Sequence, residues 1–187
     1  ARALRLLSYL HAIDMFGNVP FATEHNSVGS TGPDRITRAA LFNWMDKECD
    51  NLIEEGKLLG FKQNVYGRLD VGFVKMIQAK LNLNAAVYLG ISDSEAKPYF
   101  DKVGTICKEI KEIYPALYSE YTHLFMADNH LRTDEIIFNV PQDADFTRNY
   151  GGTNFLVKAS IKGGDAAWRT FMGVVDDGWG GIMVTPE

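Results

Sequence analysis

Polar residues recur at every third position at the start of the chain, and apolar residues fill nearly all of the positions between them. The polar positions are Arg2, Arg5, Ser8, His11 and Asp14. A three-residue spacing drifts slowly around a helix of about 3.6 residues per turn, so it predicts a helix with one narrow polar stripe. We expect this helix to be mostly buried and to end at Gly17, with residues 18–21 extended because Pro20 disfavours helix before it.

Three later stretches also carry apolar residues at helical spacing. They are residues 35–55, 70–89 and 92–114. Asp34 or Thr37 can cap the first of these helices, and Ser92 with Glu95 forms a capping-box signature for the last. Long helices joined by short loops predict a mostly α fold, in which helix pairs stack as an α-solenoid.

The helical period is lost in the last quarter of the chain. Residues 135–140 form a β-prone run that Pro141 ends, and eight of the seventeen glycines lie between residues 142 and 187. We therefore divide the chain into a helical body, residues 1–141, ending in a short strand, and a loop-rich region, residues 142–187. Loops on a rigid scaffold commonly carry binding sites, so we expect the ligand-binding region in 142–187.

Charge and hydropathy exclude two classes of function. The net charge of −5 leaves no basic excess to neutralise nucleic-acid phosphates. No apolar run approaches the ~20 residues that a membrane-spanning helix needs. Cys49 and Cys107 both lie on the apolar faces of predicted helices, and two cysteines make no disulfide framework, so we expect two buried free thiols.

The sequence offers no candidate catalytic centre. Glycosidases need two facing carboxylates about 5–10 Å apart, whereas Asp176 and Asp177 are adjacent and would diverge. Asp143, Asp145 and Asp176 could offer oxygen ligands to calcium, but no EF-hand loop surrounds them. None of the four histidines has a nucleophile context, and Walker, G-x-S-x-G and H-E-x-x-H motifs are missing. We predict a protein that is not an enzyme and has no metal and no cofactor.

Aromatic residues among the glycines of the last region are the candidate ligand-binding residues. Trp179, Trp168 and Tyr150 show neither a helical nor a strand period, and Asn154 and Asp177 can hydrogen-bond at the edge of a ligand. Sugar rings lie with their C–H faces on flat aromatic rings. The flanking glycines leave two possibilities for Trp179, a plug fitted beneath a loop or a platform for a flat ligand.

Two other aromatic residues of this region, Phe155 and Phe171, are expected to be buried.

The segment Asp14-Met15-Phe16-Gly17-Asn18-Val19-Pro20-Phe21 resembles the hallmark helix end of the SusD/RagB family. Further segments resemble that family in the same order along the chain, although Asp134 replaces a frequent Asn and residues 69–71 replace small residues. These segments are Tyr66-Gly67-Arg68 with the helix that follows, 124–129 with 134–138, and 178–181 with 185–187.

The resemblance implies a surface glycan-binding lipoprotein of Bacteroidetes outer membranes with tetratricopeptide-like helix pairs. Such a protein binds oligosaccharide or polysaccharide without cleavage and delivers it to a SusC-like TonB-dependent transporter. The chain would then be an internal piece of a longer protein, attached to the membrane through an upstream lipid anchor.

Two alternatives remain. A helical-repeat scaffold could bind a peptide or a protein partner in the groove between its helices. A carbohydrate-active enzyme is the other alternative, although no opposed carboxylate pair supports it.

Overall fold

A computed structural model of the chain describes residues 1–26, 29, 32–126, 128–143, 146–147, 152–160, 170 and 178–182, with the backbone alone at 152–154 and 157. The chain divides into two compact units, Ala1–Val140 and Pro141–Glu187, which we call the N-terminal and C-terminal units. The mostly helical fold predicted from the sequence is confirmed. None of the described helices is long and apolar enough to cross a membrane.

Five α-helices are described in the N-terminal unit and a sixth in the C-terminal unit. They are α1 (Arg2–Phe16), α2 (Arg38–Glu54), α3 (Val71–Leu83), α4 (Ala85–Leu89), α5 (Asp93–Ile113) and α6 (Gly152–Ser160). Strands β1 (Val19–Pro20) and β2 (Arg35–Ile36) pair antiparallel after α1. Two 3₁₀ turns, Tyr121–Phe125 and Asn129–Leu131, follow α5.

Side-chain caps fix the starts of three helices. The Thr37 hydroxyl accepts from the Ala40 N–H and begins α2, and Ser92 with Glu95 completes the predicted capping box of α5. At the start of α3, the Asp70 carboxylate accepts from the Phe73 N–H. These caps satisfy N–H groups that a helix leaves unpaired in its first turn, so the helix starts are specified locally.

The main core lies where α1, α2 and α3 pack together. Its fully buried side chains are Leu6 and Ile13 from α1, Leu41, Phe42, Met45 and Cys49 from α2, and Val74 and Leu81 from α3. A second, smaller cluster joins α3 to α5 through Ala79, Ile106 and Ile110. Each large apolar side chain buried in this way contributes about 1.5–3 kcal/mol, so α2 and α3 anchor the unit.

A buried carboxylate ties α1 to α2. The side chain of Glu48 is 8% exposed, and it accepts from Arg2 Nε at 2.6 Å and from Arg2 Nη2 at 2.8 Å. Arg5 Nη2 lies 3.4 Å from the same carboxylate. The hydrogen bonds from Arg2 lower the pKa of Glu48, and those from Arg2 to Glu48 and Glu55 raise the pKa of Arg2. Arg2 and Arg5 of the predicted polar stripe therefore lie against α2.

Three sequence predictions for the helical body are wrong. The helix α1 is less buried than its pattern predicted, because Met15 and Phe16 are exposed at its end. The single helix expected over 70–89 is broken at Asn84 into α3 and α4. Cys107 is exposed, whereas Cys49 is buried as expected, because no described helix covers that face of α5.

The short strand predicted at residues 135–140 does not form. In the described residues this segment has no pairing partner, and it is held by side chains instead. Phe138 packs edge-on against Phe73, with 4.7 Å between ring centroids, and Ile137 joins the smaller core cluster. A β-prone composition makes a strand when a neighbouring strand offers hydrogen bonds, and none does here.

Candidate functional site

The segment Gly178–Ile182 closes the carboxyl end of α6. The Trp179 N–H donates to the Lys158 carbonyl at 2.7 Å, and the Ile182 N–H donates to the Ala159 carbonyl at 3.1 Å. The last carbonyls of a helix have no partner within the helix, so these bonds satisfy them and fix the segment at two points. The backbone of Trp179 is thus held in place by α6.

Glycines on both sides of Trp179 adopt a backbone conformation that other residues rarely take. The φ angles of Gly178, Gly180 and Gly181 are 64°, 65° and 110°. A Cβ added at Gly180 or Gly181 would meet no atom within 4 Å, so these two positions require glycine for the backbone angle and not for space. The turn therefore specifies the direction in which Trp179 leaves the chain.

The Trp179 side chain lies at a half-exposed surface with Phe155 and Lys158 of α6, which we call the Trp179 surface. Trp179 is 45% exposed and Phe155 is 46% exposed, and their ring centroids are 6.4 Å apart. The Lys158 ammonium lies over the indole, 5.6 Å from its centroid, which is a cation–π distance. An aromatic face beside a cationic donor can stack against a ring and hydrogen-bond to its substituents.

The structure describes two of the five predicted ligand-binding residues, Trp179 in full and Asn154 by its backbone. Trp179 is the predicted residue whose side chain is described, and it is not a buried plug. Asn154 lies in α6, and its side chain is outside the described set. Trp168, Tyr150 and Asp177 lie outside the described residues. The members of the Trp179 surface whose side chains the structure describes are therefore Trp179, Phe155 and Lys158.

Two members of the surface were not predicted. Phe155 was expected to be buried, which is wrong, and no role was predicted for Lys158. Both follow from α6, a helix within a region that was expected to be irregular. Positions three apart are neighbours on a helix, so the Phe155–Lys158 spacing would have placed the two side chains together once that helix had been predicted.

A pair of carboxylates on α2 has a structural role. Asp46 and Asp50 of α2 both face Lys102 of α5, whose ammonium lies 2.9 Å from Asp46 Oδ2 and 3.5 Å from Asp50 Oδ2. Gln78 of α3 also donates to both carboxylates. The pair therefore links three helices. In the described part of the chain, no group of three His, Cys, Asp or Glu residues could hold a metal ion.

No protein-family model matches the chain. Comparison with curated proteins finds 36% identity over 160 residues, 83% of this chain, to the starch-binding protein SusD of Bacteroides thetaiotaomicron. The chain belongs to the SusD-like family. It spans 27% of the length of that relative. Membership of this family, which the sequence resemblance implied, is thereby confirmed, and the helical unit and the Trp179 surface are features of a SusD-like chain.

Proposed function

We propose that this SusD-like chain binds oligosaccharide or polysaccharide without cleaving it, and that Trp179 is the platform on which a sugar ring stacks. The relative's name supports a glycan ligand, because that protein is a starch-binding protein. The observation that carries the proposal is the half-exposed indole, which a glycine-framed turn and two backbone hydrogen bonds hold at the surface.

Stacking and hydrogen bonding together account for affinity at such a surface. The apolar C–H face of a pyranose covers the indole, and Lys158 and the edge residues Asn154 and Asp177 meet the hydroxyl groups. Each stacked ring contributes on the order of 1 kcal/mol beyond area burial. With Trp168 and Tyr150 as further rings, we expect roughly millimolar to micromolar binding, because about 1.4 kcal/mol is tenfold in affinity.

Delivery of the glycan is the second part of the proposal. The chain would act at the surface of an outer membrane, within a lipoprotein whose lipid anchor lies upstream of these residues, and pass its ligand to a SusC-like TonB-dependent transporter. The family assignment supports this part. Co-purification of the full-length lipoprotein with an outer-membrane barrel, tested with and without glycan, examines it directly.

Calorimetry with maltoheptaose and with other plant and host oligosaccharides tests the platform. We expect Trp179→Ala to weaken binding of the cognate glycan about tenfold and Trp179→Phe to keep most of it, because phenylalanine retains an aromatic face. Tyr121→Ala removes an exposed aromatic residue of the N-terminal unit and serves as the matched control. Unchanged binding by Trp179→Ala, with a normal thermal melt, would refute the platform.

The absence of cleavage has its own test. Polysaccharide incubated with the protein should release no reducing ends above a blank. Turnover that persists through repurification and disappears on substitution of Asp176 or Asp177 would instead indicate a carbohydrate-active enzyme.

A further inference from the structure

We propose that the N-terminal unit carries a second saccharide-binding subsite, in the cleft between loop 60–69 and segment 133–139. The inference rests on the proposed function, because it concerns the same class of ligand. The cleft has a volume of about 240 Å³. Its lining includes Lys62, Tyr66, Arg68, Tyr114 and Asn139. We call it the Tyr66 cleft.

Loop 60–69 is fixed in place by Asp70. This residue is 5% exposed, and its carboxylate accepts from the Lys62 N–H at 3.0 Å and from the Phe73 N–H at 3.1 Å. Within the loop, Asn64 Nδ2 donates to the Leu69 carbonyl at 2.6 Å. One buried carboxylate thus joins the loop to the start of α3, and the wall of the cleft is formed before any ligand binds.

Lys62 bridges the two walls. Its ammonium lies 4.2 Å from the centroid of the Tyr114 ring and donates to the Asp134 carbonyl at 3.3 Å. Its φ of 56° is the one positive value among the described residues other than glycine. Such conformations are costly and persist when the surroundings impose them, often at binding sites. Lys62 therefore contacts both walls of the cleft.

Four of the polar side chains that line this cleft are available to a ligand. In the part of the chain that the structure describes, the side chains of Tyr66, Arg68, Thr133 and Asn139 make no hydrogen bond. Tyr66 is 43% exposed. The cleft thus combines an aromatic ring with a guanidinium, an amide and a hydroxyl, which together offer both donors and acceptors.

This cleft forms no backbone anion site, and its side chains can hold a hydroxyl-bearing ligand. An anion site built from backbone requires successive N–H groups that point to one centre. Here the N–H groups of Lys62, Gln63, Val65 and Arg68 already donate within the loop or to Asp70, which interrupts any such run. Adjacent sugar hydroxyls need donors and acceptors together, and the remaining side chains supply both.

The size of the cleft limits what it can hold. Pockets for drug-sized ligands are about 300–1,000 Å³, and this cleft is smaller. One sugar ring of a longer chain would fit it, with the rest of the oligosaccharide outside. Binding at this subsite alone would therefore be weak, and it would add to overall affinity when a polysaccharide also contacts another part of the protein.

A titration of the ¹⁵N-labelled protein with maltoheptaose, followed by amide chemical shifts, tests the subsite. We expect shifts at residues 64–68 and 136–139 as well as at 178–182, and we expect the first two groups to persist in Trp179→Ala. Tyr66→Ala should raise the dissociation constant measured at the cleft about tenfold, and Arg68→Met should raise it less. Tyr121→Ala is the control for loss of an exposed ring in the same unit.

Each outcome decides between the two proposals. Shifts confined to α6 and 178–182 overturn the Tyr66 cleft and leave the Trp179 platform standing. Shifts confined to the cleft support the subsite and overturn the platform. An absence of shifts in both regions overturns both proposals. An unchanged cleft affinity in both Tyr66→Ala and Arg68→Met, with shifts still present there, overturns the assignment of these side chains.

Discussion

Trp44 and Trp179 show what each unit does with the same side chain. In the N-terminal unit, Trp44 of α2 packs edge-on against Phe21 at 4.9 Å and against Tyr9 at 5.7 Å, with the Arg5 guanidinium 5.3 Å from its ring. In the C-terminal unit, Trp179 has Phe155 and Lys158 nearby and remains half exposed. Side chains from α1 and from the segment after β1 pack on the first ring, whereas glycines flank the second.

On the proposed function, Trp44 contributes to stability and Trp179 to binding. Trp44 lies within a network of rings and ion pairs that joins α1 to α2. Its removal should therefore lower stability more than it weakens ligand binding. Trp179 is held by backbone hydrogen bonds that a substitution of its side chain leaves in place. A substitution at Trp44 should therefore lower the free energy of unfolding, whereas a substitution at Trp179 should weaken ligand binding and leave unfolding almost unchanged.

The largest expected effect is on stability, from Phe42→Ala. Phe42 is 1% exposed and packs edge-on against Tyr99 at 5.4 Å. Loss of a fully buried ring leaves a cavity, and we expect the free energy of unfolding to fall by about 3–5 kcal/mol in a urea titration. Val87→Ala, at an exposed position of α4, is the control and should change little. A cost below about 1 kcal/mol for Phe42→Ala would mean that the core is placed wrongly.

A smaller loss of stability is expected from Glu48→Gln. The substitution removes the charge that Arg2 and Arg5 face, while the amide still accepts a hydrogen bond. Because Arg2 is partly exposed, water compensates for part of the loss, and we expect about 1–2 kcal/mol. Glu109→Gln breaks a more exposed pair with Lys75 and should cost less. Equal costs for the two substitutions would contradict the buried role of Glu48.

Two carboxylates with arginine partners, Glu24 beside Arg5 and Glu48 beside Arg2, predict how stability depends on pH. A hydrogen bond from Arg5 lowers the pKa of Glu24 to about 2, and those from Arg2 lower the pKa of Glu48. A carboxylate with a lowered folded-state pKa stabilises the fold above its unfolded pKa, about 4.3, and this contribution is lost as the pH falls through the folded value. The free energy of unfolding should therefore decrease between about pH 4 and pH 2.

Denaturant titrations across that range, with Glu48→Gln beside the native protein, measure this effect. The variant should lose less stability on acidification, because it lacks one of the carboxylates that must be protonated. Glu112→Gln, at an exposed site, is the control and should follow the native curve. Identical slopes for all three proteins would show that Glu48 does not have a lowered pKa.

Periodicity predicted most of the helical unit because α1, α2 and α5 each bury one face. It failed where a contact outside the pattern decides the structure. The apolar spacing continues across Asn84, yet its side chain donates to the Lys80 carbonyl and the helix breaks there. Burial of Cys107 depends on whether another helix covers α5, which the spacing of residues on α5 itself does not specify.

The candidate surface was predicted less completely than the fold. The glycines around Trp179 left two possibilities, a buried plug or a platform, and the 45% exposure of the side chain excludes a fully buried plug. Phe155 and Lys158 were not predicted as members of the surface, because the glycines near α6 favoured irregular structure over a nine-residue helix. The Tyr66 cleft was missed for a different reason. Its walls come from residues 60–69 and 133–139, which are far apart in sequence, and no periodicity relates the two segments.

Tryptophan fluorescence during a maltoheptaose titration tests most directly whether Trp179 is the binding platform. Trp44→Phe and Trp179→Phe each remove one indole and keep an aromatic ring at the site. We predict that the ligand-dependent change in emission persists in Trp44→Phe and is clearly smaller in Trp179→Phe, where Trp168 still reports, while calorimetry shows that both variants still bind. A change that persists in Trp179→Phe and disappears in Trp44→Phe would contradict the assignment of the binding platform to Trp179 and of a stabilising role to Trp44.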